Sequence, residues 1–161
     1  LLHHHKGLAG LIAPTTNSYD RLQPGSLSGH WQNWGGDHRN VTTRVSTEGG
    51  AKARLEHRMA DASANPYTAV AAVLHAALLG VENSYDLQPI ETGDGFVDTD
   101  ATVGVGADLK SAIADLSADV ALSNAVGAGL VENHVFMKIA EVEKTEGLTP
   151  EALRDFYIYF M

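Results

Sequence analysis

Arg54-Leu55-Glu56-His57-Arg58 sets a charged side chain at every second position. Along an extended strand, successive side chains point to opposite faces, so Arg54, Glu56 and Arg58 share one face while Leu55 and His57 share the other. Guanidinium forks bind oxyanions, and a carboxylate oxygen binds hard cations. Two arginines flanking one glutamate therefore suit a site that holds phosphate, carboxylate and a divalent metal. The same spacing also serves an exposed strand face carrying ordinary ion pairs.

The elements that must position this row are legible on either side of it. Asn40 to Ser46 alternates as well, with Val41, Thr43 and Val45 on one side and Asn40, Thr42 and Arg44 on the other. Gly49-Gly50 between the runs can supply the positive φ angles of a reversal. A β-hairpin is predicted, with Val41, Thr43, Val45 and Leu55 toward an apolar layer. Arg44 then joins Arg54, Glu56 and Arg58, and this face is cationic and suited to an anion.

Around the hairpin, residues 1–13 read as a helix ended by Pro14, and residues 15–39, rich in Gly, Asn, Ser and Pro, as a long loop. Asn65-Pro66 is an N-cap signature for an alanine-rich helix through Leu79, which Gly80 should stop and which should be buried. Residues 82–107 read as a second loop. Its Asp94, Asp98 and Asp100 lack the glycine and glutamate of a calcium loop and read as solvated acids. Helices follow from Asp108 to about Ser123, from Asn124 to Thr145, and after Thr149-Pro150, the last with an apolar stripe of Leu153, Phe156, Tyr157 and Phe160. His3-His4-His5 cannot all face one way on a helix. The other histidines, including His30, His57, His75 and His134, read as packing, loop or surface residues.

Composition bounds the partners. The 161 residues carry a formal charge of -9, which argues against nonspecific nucleic-acid binding. No apolar run suggests a membrane span and no secretory signal is visible, so a cytoplasmic location is expected. Without cysteine there are no disulfides and no thiolate zinc sites. The start at Leu1-Leu2, with no methionine, leads to the expectation that the natural N-terminus lies upstream.

Asn17-Ser18-Tyr19-Asp20-Arg21-Leu22 with Pro24-Gly25, then Trp34-Gly35, Arg39, Arg44, Arg54-Leu55-Glu56-His57-Arg58 and Asn65-Pro66-Tyr67, resembles in order and spacing the C-terminal half of the glutamine synthetase catalytic domain. The likeness covers nearly the whole chain. It implies an α+β fold, an antiparallel β-hairpin or sheet packed with several helices, with residues 1–161 forming one C-terminal part. The small N-terminal β-grasp domain and the first half of the catalytic domain would precede it.

By that resemblance, the parent enzyme uses ATP to phosphorylate the γ-carboxylate of glutamate, and ammonia or an amine then displaces phosphate. Carried over by position, Glu56 would hold a magnesium or manganese ion and Arg39 and Arg44 would stabilise the phosphoryl oxygens. Arg44 and Arg54 would contact the nucleotide, while Arg21, Arg39 and Arg58 would bind substrate. The family's ring-shaped homo-oligomers are implied too. The chain alone should lack turnover and, with unpaired sheet edges and exposed apolar surface, should self-associate.

Two departures stand out. Ammonia-using members carry a glutamate where Leu27 stands, and an apolar residue there favours an organic amine over ammonium. The Trp31 to Trp34 neighbourhood also looks more like the γ-glutamyl-amine ligase branch. The second departure is His38, where the family usually has asparagine before the arginine matched by Arg39. A noncatalytic relative that kept the fold for assembly or regulation is the alternative.

Overall fold

The structure, a computed structural model, describes residues 1–26, 29–37, 39–94 and 99–159. Among them the elements run α1 (His5–Ile12), α2 (Ser18–Arg21), β1 (Trp34–Gly36), β2 (Thr43–Val45), a single 3-10 turn (Gly50–Lys52) and β3 (Leu55–His57). The remaining elements are α3 (Pro66–Glu82), α4 (Leu109–Ala118), α5 (Val120–Val126), α6 (Ala128–Thr145) and α7 (Pro150–Tyr157). The fold is α+β, as expected, with one small sheet and a helical layer.

The core is centred on α1. Leu8, Leu11 and Ile12 are buried with Leu109, Ala112, Ile113 and Leu116 of α4, Ala72 and Ala76 of α3, and Leu122 of α5. Close approach of α1 to α4 depends on glycine. A methyl group at Gly10 would lie 2.9 Å from the Ala112 carbonyl oxygen and from Leu116 Cβ, inside the distance real contacts tolerate. The helix starts are chemically marked. Asn65 Oδ1 accepts from the N–H groups of Tyr67 and Thr68, Asp108 and Ser111 form a reciprocal capping box, and the Thr149 hydroxyl accepts from Ala152 N–H.

The sheet has the order β1-β2-β3. The predicted hairpin is present as the antiparallel β2–β3 pair, with Thr43 opposite His57, Arg44 opposite Glu56 and Val45 opposite Leu55. Its ladder extends past the strands through Ser46 N–H to the Arg54 carbonyl and Arg58 N–H to the Thr42 carbonyl.

Several expectations are corrected. The 15–39 loop contains α2 and also β1, which pairs parallel with β2. Leu55 does not join an apolar layer. It is 54% exposed near the sheet's open edge, while Val41 and Thr43 are buried. Gly80 does not stop α3, which continues to Glu82, and α3 is not buried all round: Ala72 and Ala76 face the core while Tyr67, Val70, Leu74, Leu78 and Val81 are exposed. The predicted 108–123 helix ends at Ala118, because the Asp119 carboxylate accepts from Leu122 N–H and starts α5. Gly127, at φ 122°, separates α5 from α6. In the final stripe Tyr157 is buried, whereas Phe160 lies outside the described residues.

Candidate active site

Glu56 occupies the middle of β3, directly across from Arg44. Cross-strand partners share a face, so this register brings the two charges together. Arg44 Nη1 donates to Glu56 Oε2 at 3.3 Å, and Arg58 Nη1 donates to Glu56 Oε1. Each carboxylate oxygen thus takes one guanidinium. The hydrogen bond from Arg58, reinforced by the charges of Arg58 and Arg44, holds the Glu56 carboxyl below the usual carboxylate range. Glu56 stays 38% exposed while Arg44 is 17% exposed, so the acid remains open to solvent over a more enclosed cation.

Arg21 reaches the same region from α2. Its guanidinium donates to the backbone carbonyl of Met59, one residue beyond Arg58, and Met59 itself is fully buried. The four groups Arg21, Arg44, Glu56 and Arg58 are therefore tied to β2, β3 and the turn out of β3. Arg39 lies exposed in the link between β1 and β2. Arg54 precedes β3 opposite Ser46, on the side of the hairpin shared by Arg44 and Glu56. It donates to the Lys52 carbonyl at 3.1 Å and to Ser46 Oγ at 3.4 Å, while Glu56 takes Arg44 and Arg58. Leu27 and His38 lie outside the described residues.

The neighbouring position on β3 is a histidine. His57 Nδ1 lies 3.0 Å from Thr43 Oγ1, and burial lowers the imidazole pKa to about 3. His5 Nε2 donates to the His30 carbonyl at 2.8 Å, and burial lowers its pKa to about 4. His134 Nε2 donates to the Gly10 carbonyl, also at 2.8 Å. These histidines pack, as the sequence suggests. His4 Nδ1 lies 2.8 Å from Asp119 Oδ2, and His3 stacks on Tyr85.

One polar residue at the face escapes sequence reasoning. Asp37, just after β1, accepts from Arg44 Nη2 at 3.4 Å and from the backbone N–H of Thr47 at 3.0 Å, and also from the Thr47 hydroxyl. Its only sequence signal is an aspartate after Gly35-Gly36, a residue type that tolerates positive φ at a strand end.

The donor set accommodates part of what the resemblance implies. Arginines fit phosphate and carboxylate oxygens, and ionised Glu56 fits a single oxygen ligand of a divalent cation. Among the described residues no group of three or more His, Asp or Glu side chains could hold a metal, so Glu56 by itself does not make a metal site. No helix among the described residues is long and apolar enough to cross a membrane.

Residues 1–157 match the family described as glutamine synthetase, catalytic domain. The chain is 35% identical over 150 residues to the glutamine synthetase of Thermococcus kodakarensis, covering 89% of this chain and 34% of that protein. It is 34% identical over 152 residues to the glutamine synthetase of Halobacterium salinarum, covering 91% of this chain and 32% of that protein. The chain thus spans about a third of the length of these curated relatives. Among solved structures it is similar to the apo form of GmaS without ligand, with a TM-score of 0.81 at 32% identity over 96% of this chain and 35% of that one. It is also similar to a GmaS/ADP complex, with a TM-score of 0.82 at 30% identity over 99% of this chain and 38% of that one.

Proposed function

Because the chain belongs to the glutamine synthetase catalytic-domain family, we propose that it forms the C-terminal part of an ATP-dependent ligase that makes a γ-glutamyl amide from glutamate and an organic amine. The carrying observation is Glu56 held between Arg44 and Arg58, with Arg21 bound to the adjoining Met59 carbonyl. That arrangement offers one ionised oxygen ligand amid cations suited to phosphoryl and carboxylate oxygens.

In this reading Arg21 and Arg58 hold the glutamate carboxylates. Arg39 and Arg44 neutralise the γ-phosphoryl oxygens as the group passes to the γ-carboxylate, releasing ADP and leaving γ-glutamyl phosphate. Arg54 lies beside the nucleotide, and the similarity to the GmaS/ADP complex supports nucleotide binding. Phosphoryl transfer needs positioning and charge neutralisation more than covalent help, which is what fixed guanidinium groups supply. Glu56 would hold a magnesium or manganese ion, whose charge screens the nucleotide phosphates. The amine nitrogen then attacks the acyl carbon, phosphate leaves, and the nitrogen loses a proton. Leu27, in place of the glutamate of ammonia-using members, favours the organic amine.

The 161-residue chain alone would lack turnover, since its described residues provide one metal ligand where a divalent cation needs several. The parent is proposed to be a cytoplasmic, ring-shaped homo-oligomer. The deciding experiment is phosphate release by the full-length parent with ATP, magnesium and glutamate, comparing ammonium with a panel of organic amines. Release dependent on an organic amine supports the proposal. Release with ammonium alone returns the enzyme to ordinary glutamine synthesis, and no release with any acceptor favours a noncatalytic relative.

A further inference from the structure

Asp37 sits at φ 51°, in the left-handed region that side chains other than glycine seldom adopt. It begins the link from β1 to β2, and these parallel neighbours are joined through residues 37–42, far less chain than a parallel crossover usually takes. Its N–H donates to the Val45 carbonyl at 3.0 Å, and its carboxylate takes the Thr47 N–H and hydroxyl. The aspartate thereby fastens the link to the segment leaving β2. One further bond reaches the charged face: Arg44 Nη2 donates to Asp37 Oδ1 at 3.4 Å.

Arg44 is thus shared. Nη1 goes to Glu56 and Nη2 to Asp37, while Nε is buried without a partner. An arginine facing one carboxylate prefers the two-pronged pair, in which both carboxylate oxygens are engaged by parallel N–H bonds. Asp37 competes with that outcome by occupying the second prong. We propose that Asp37 is a positioning residue for Arg44, which spreads the guanidinium between two acids and keeps Glu56 from being closed off as a bidentate ion pair. Glu56 then retains lone pairs directed at solvent for a divalent cation, and Arg44 presents a fixed plane to phosphoryl oxygens. Hydrogen bonding from Thr47 keeps the Asp37 carboxyl below its ordinary range, so the charge this role requires is present at neutral pH.

The inference rests on the ligase reading, and two measurements on the full-length parent separate their fates. Asp37→Asn retains an oxygen for the Thr47 N–H and tolerance of positive φ, and removes the charge that attracts Arg44. It is expected to lower kcat about tenfold, the scale of one charge-assisted hydrogen bond, and to raise the half-saturating magnesium concentration several-fold with KM for the amine unchanged. Thr47→Val keeps both charges and loosens Asp37, so its loss should be smaller and in the same direction. A larger loss for Thr47→Val, or a lowered melting temperature with magnesium dependence intact, would make Asp37 an anchor of the loop alone and overturn the proposal. The second measurement is a crystal structure of the Asp37→Asn parent. Arg44 donating through both Nη atoms to Glu56 supports the positioning role, and Arg44 left in place refutes it. A parent without turnover removes the ligase reading, and the crystal structures still decide what Asp37 does.

Discussion

Arg21 donates to the carbonyl of Met59, so an arginine on a short helix is fixed one residue beyond Arg58 at the end of the hairpin. A guanidinium fork can make that bond and still offer N–H groups elsewhere, which an ammonium point charge does poorly. If the parent is the proposed ligase, Arg21→Lys is therefore expected to raise KM for glutamate about tenfold with a smaller change in kcat. Steady-state kinetics with glutamate varied would check this, and an unchanged KM would remove Arg21 from the substrate site.

In the proposed reading, acceptor choice rests on Leu27. Leu27→Glu would introduce a negative charge able to attract ammonium and take its proton. The expected result is a shift of about tenfold or more in the ratio of kcat/KM for ammonium to that for the best organic amine. Phosphate release measured side by side with both acceptors gives this ratio directly.

Buried histidines set a pH dependence. His57 and His5 have pKa values lowered to about 3 and about 4 by burial, against about 6.5 in an unfolded chain. Below pH 6.5 the unfolded chain takes up protons that the folded one refuses, so their contribution to stability is intact above 6.5 and is lost as pH falls toward 4. Thermal melts of the parent should show a declining midpoint across that window, and His57→Gln should flatten the decline. A midpoint constant from pH 7 to 4.5 would contradict the burial of both rings.

Along α3, Tyr67, Val70, Leu74, Leu78 and Val81 form an exposed apolar row. Such a surface on an isolated chain promotes association. The 161-residue segment made alone should elute as oligomers or aggregates, and Leu74→Glu with Leu78→Glu should move it toward monomer. Light scattering coupled to size exclusion reads the difference. A monodisperse monomer without these substitutions would show that α3 needs no cover.

Strong local chemistry made parts of this fold legible. The hairpin followed from alternation and a glycine pair, and alternation placed Arg44 on the face of Glu56, where the register sets the two opposite each other. The starts of α3, α4 and α7 followed from Asn65-Pro66, Asp108 and Thr149-Pro150. What failed was set by distant partners. Trp34-Gly35-Gly36 has no alternation and becomes a strand only by pairing with β2, and Leu55 is exposed because it lies near the sheet's open edge. The apolar content of α3 reads as burial on nearly every side, whereas only the Ala72 and Ala76 side meets the core. Asp37 was invisible because its importance lies in bonds to Thr47 and Arg44, neither of which its own neighbours announce.

His4 and Asp119 meet across 115 residues of chain, and α1 packs on α4 at the same junction. Arg21, Arg39, Arg44, Arg54, Glu56 and Arg58 all lie inside the loop this contact closes. Closing so long a loop costs entropy that pairing within the local hairpin does not require, so the junction is expected to form late in folding. During synthesis the face is thus complete in sequence well before it can be complete in space. A ribosome-stalled chain ending before α4 would carry all its arginines and Glu56, yet should leave their backbone amides open to hydrogen exchange.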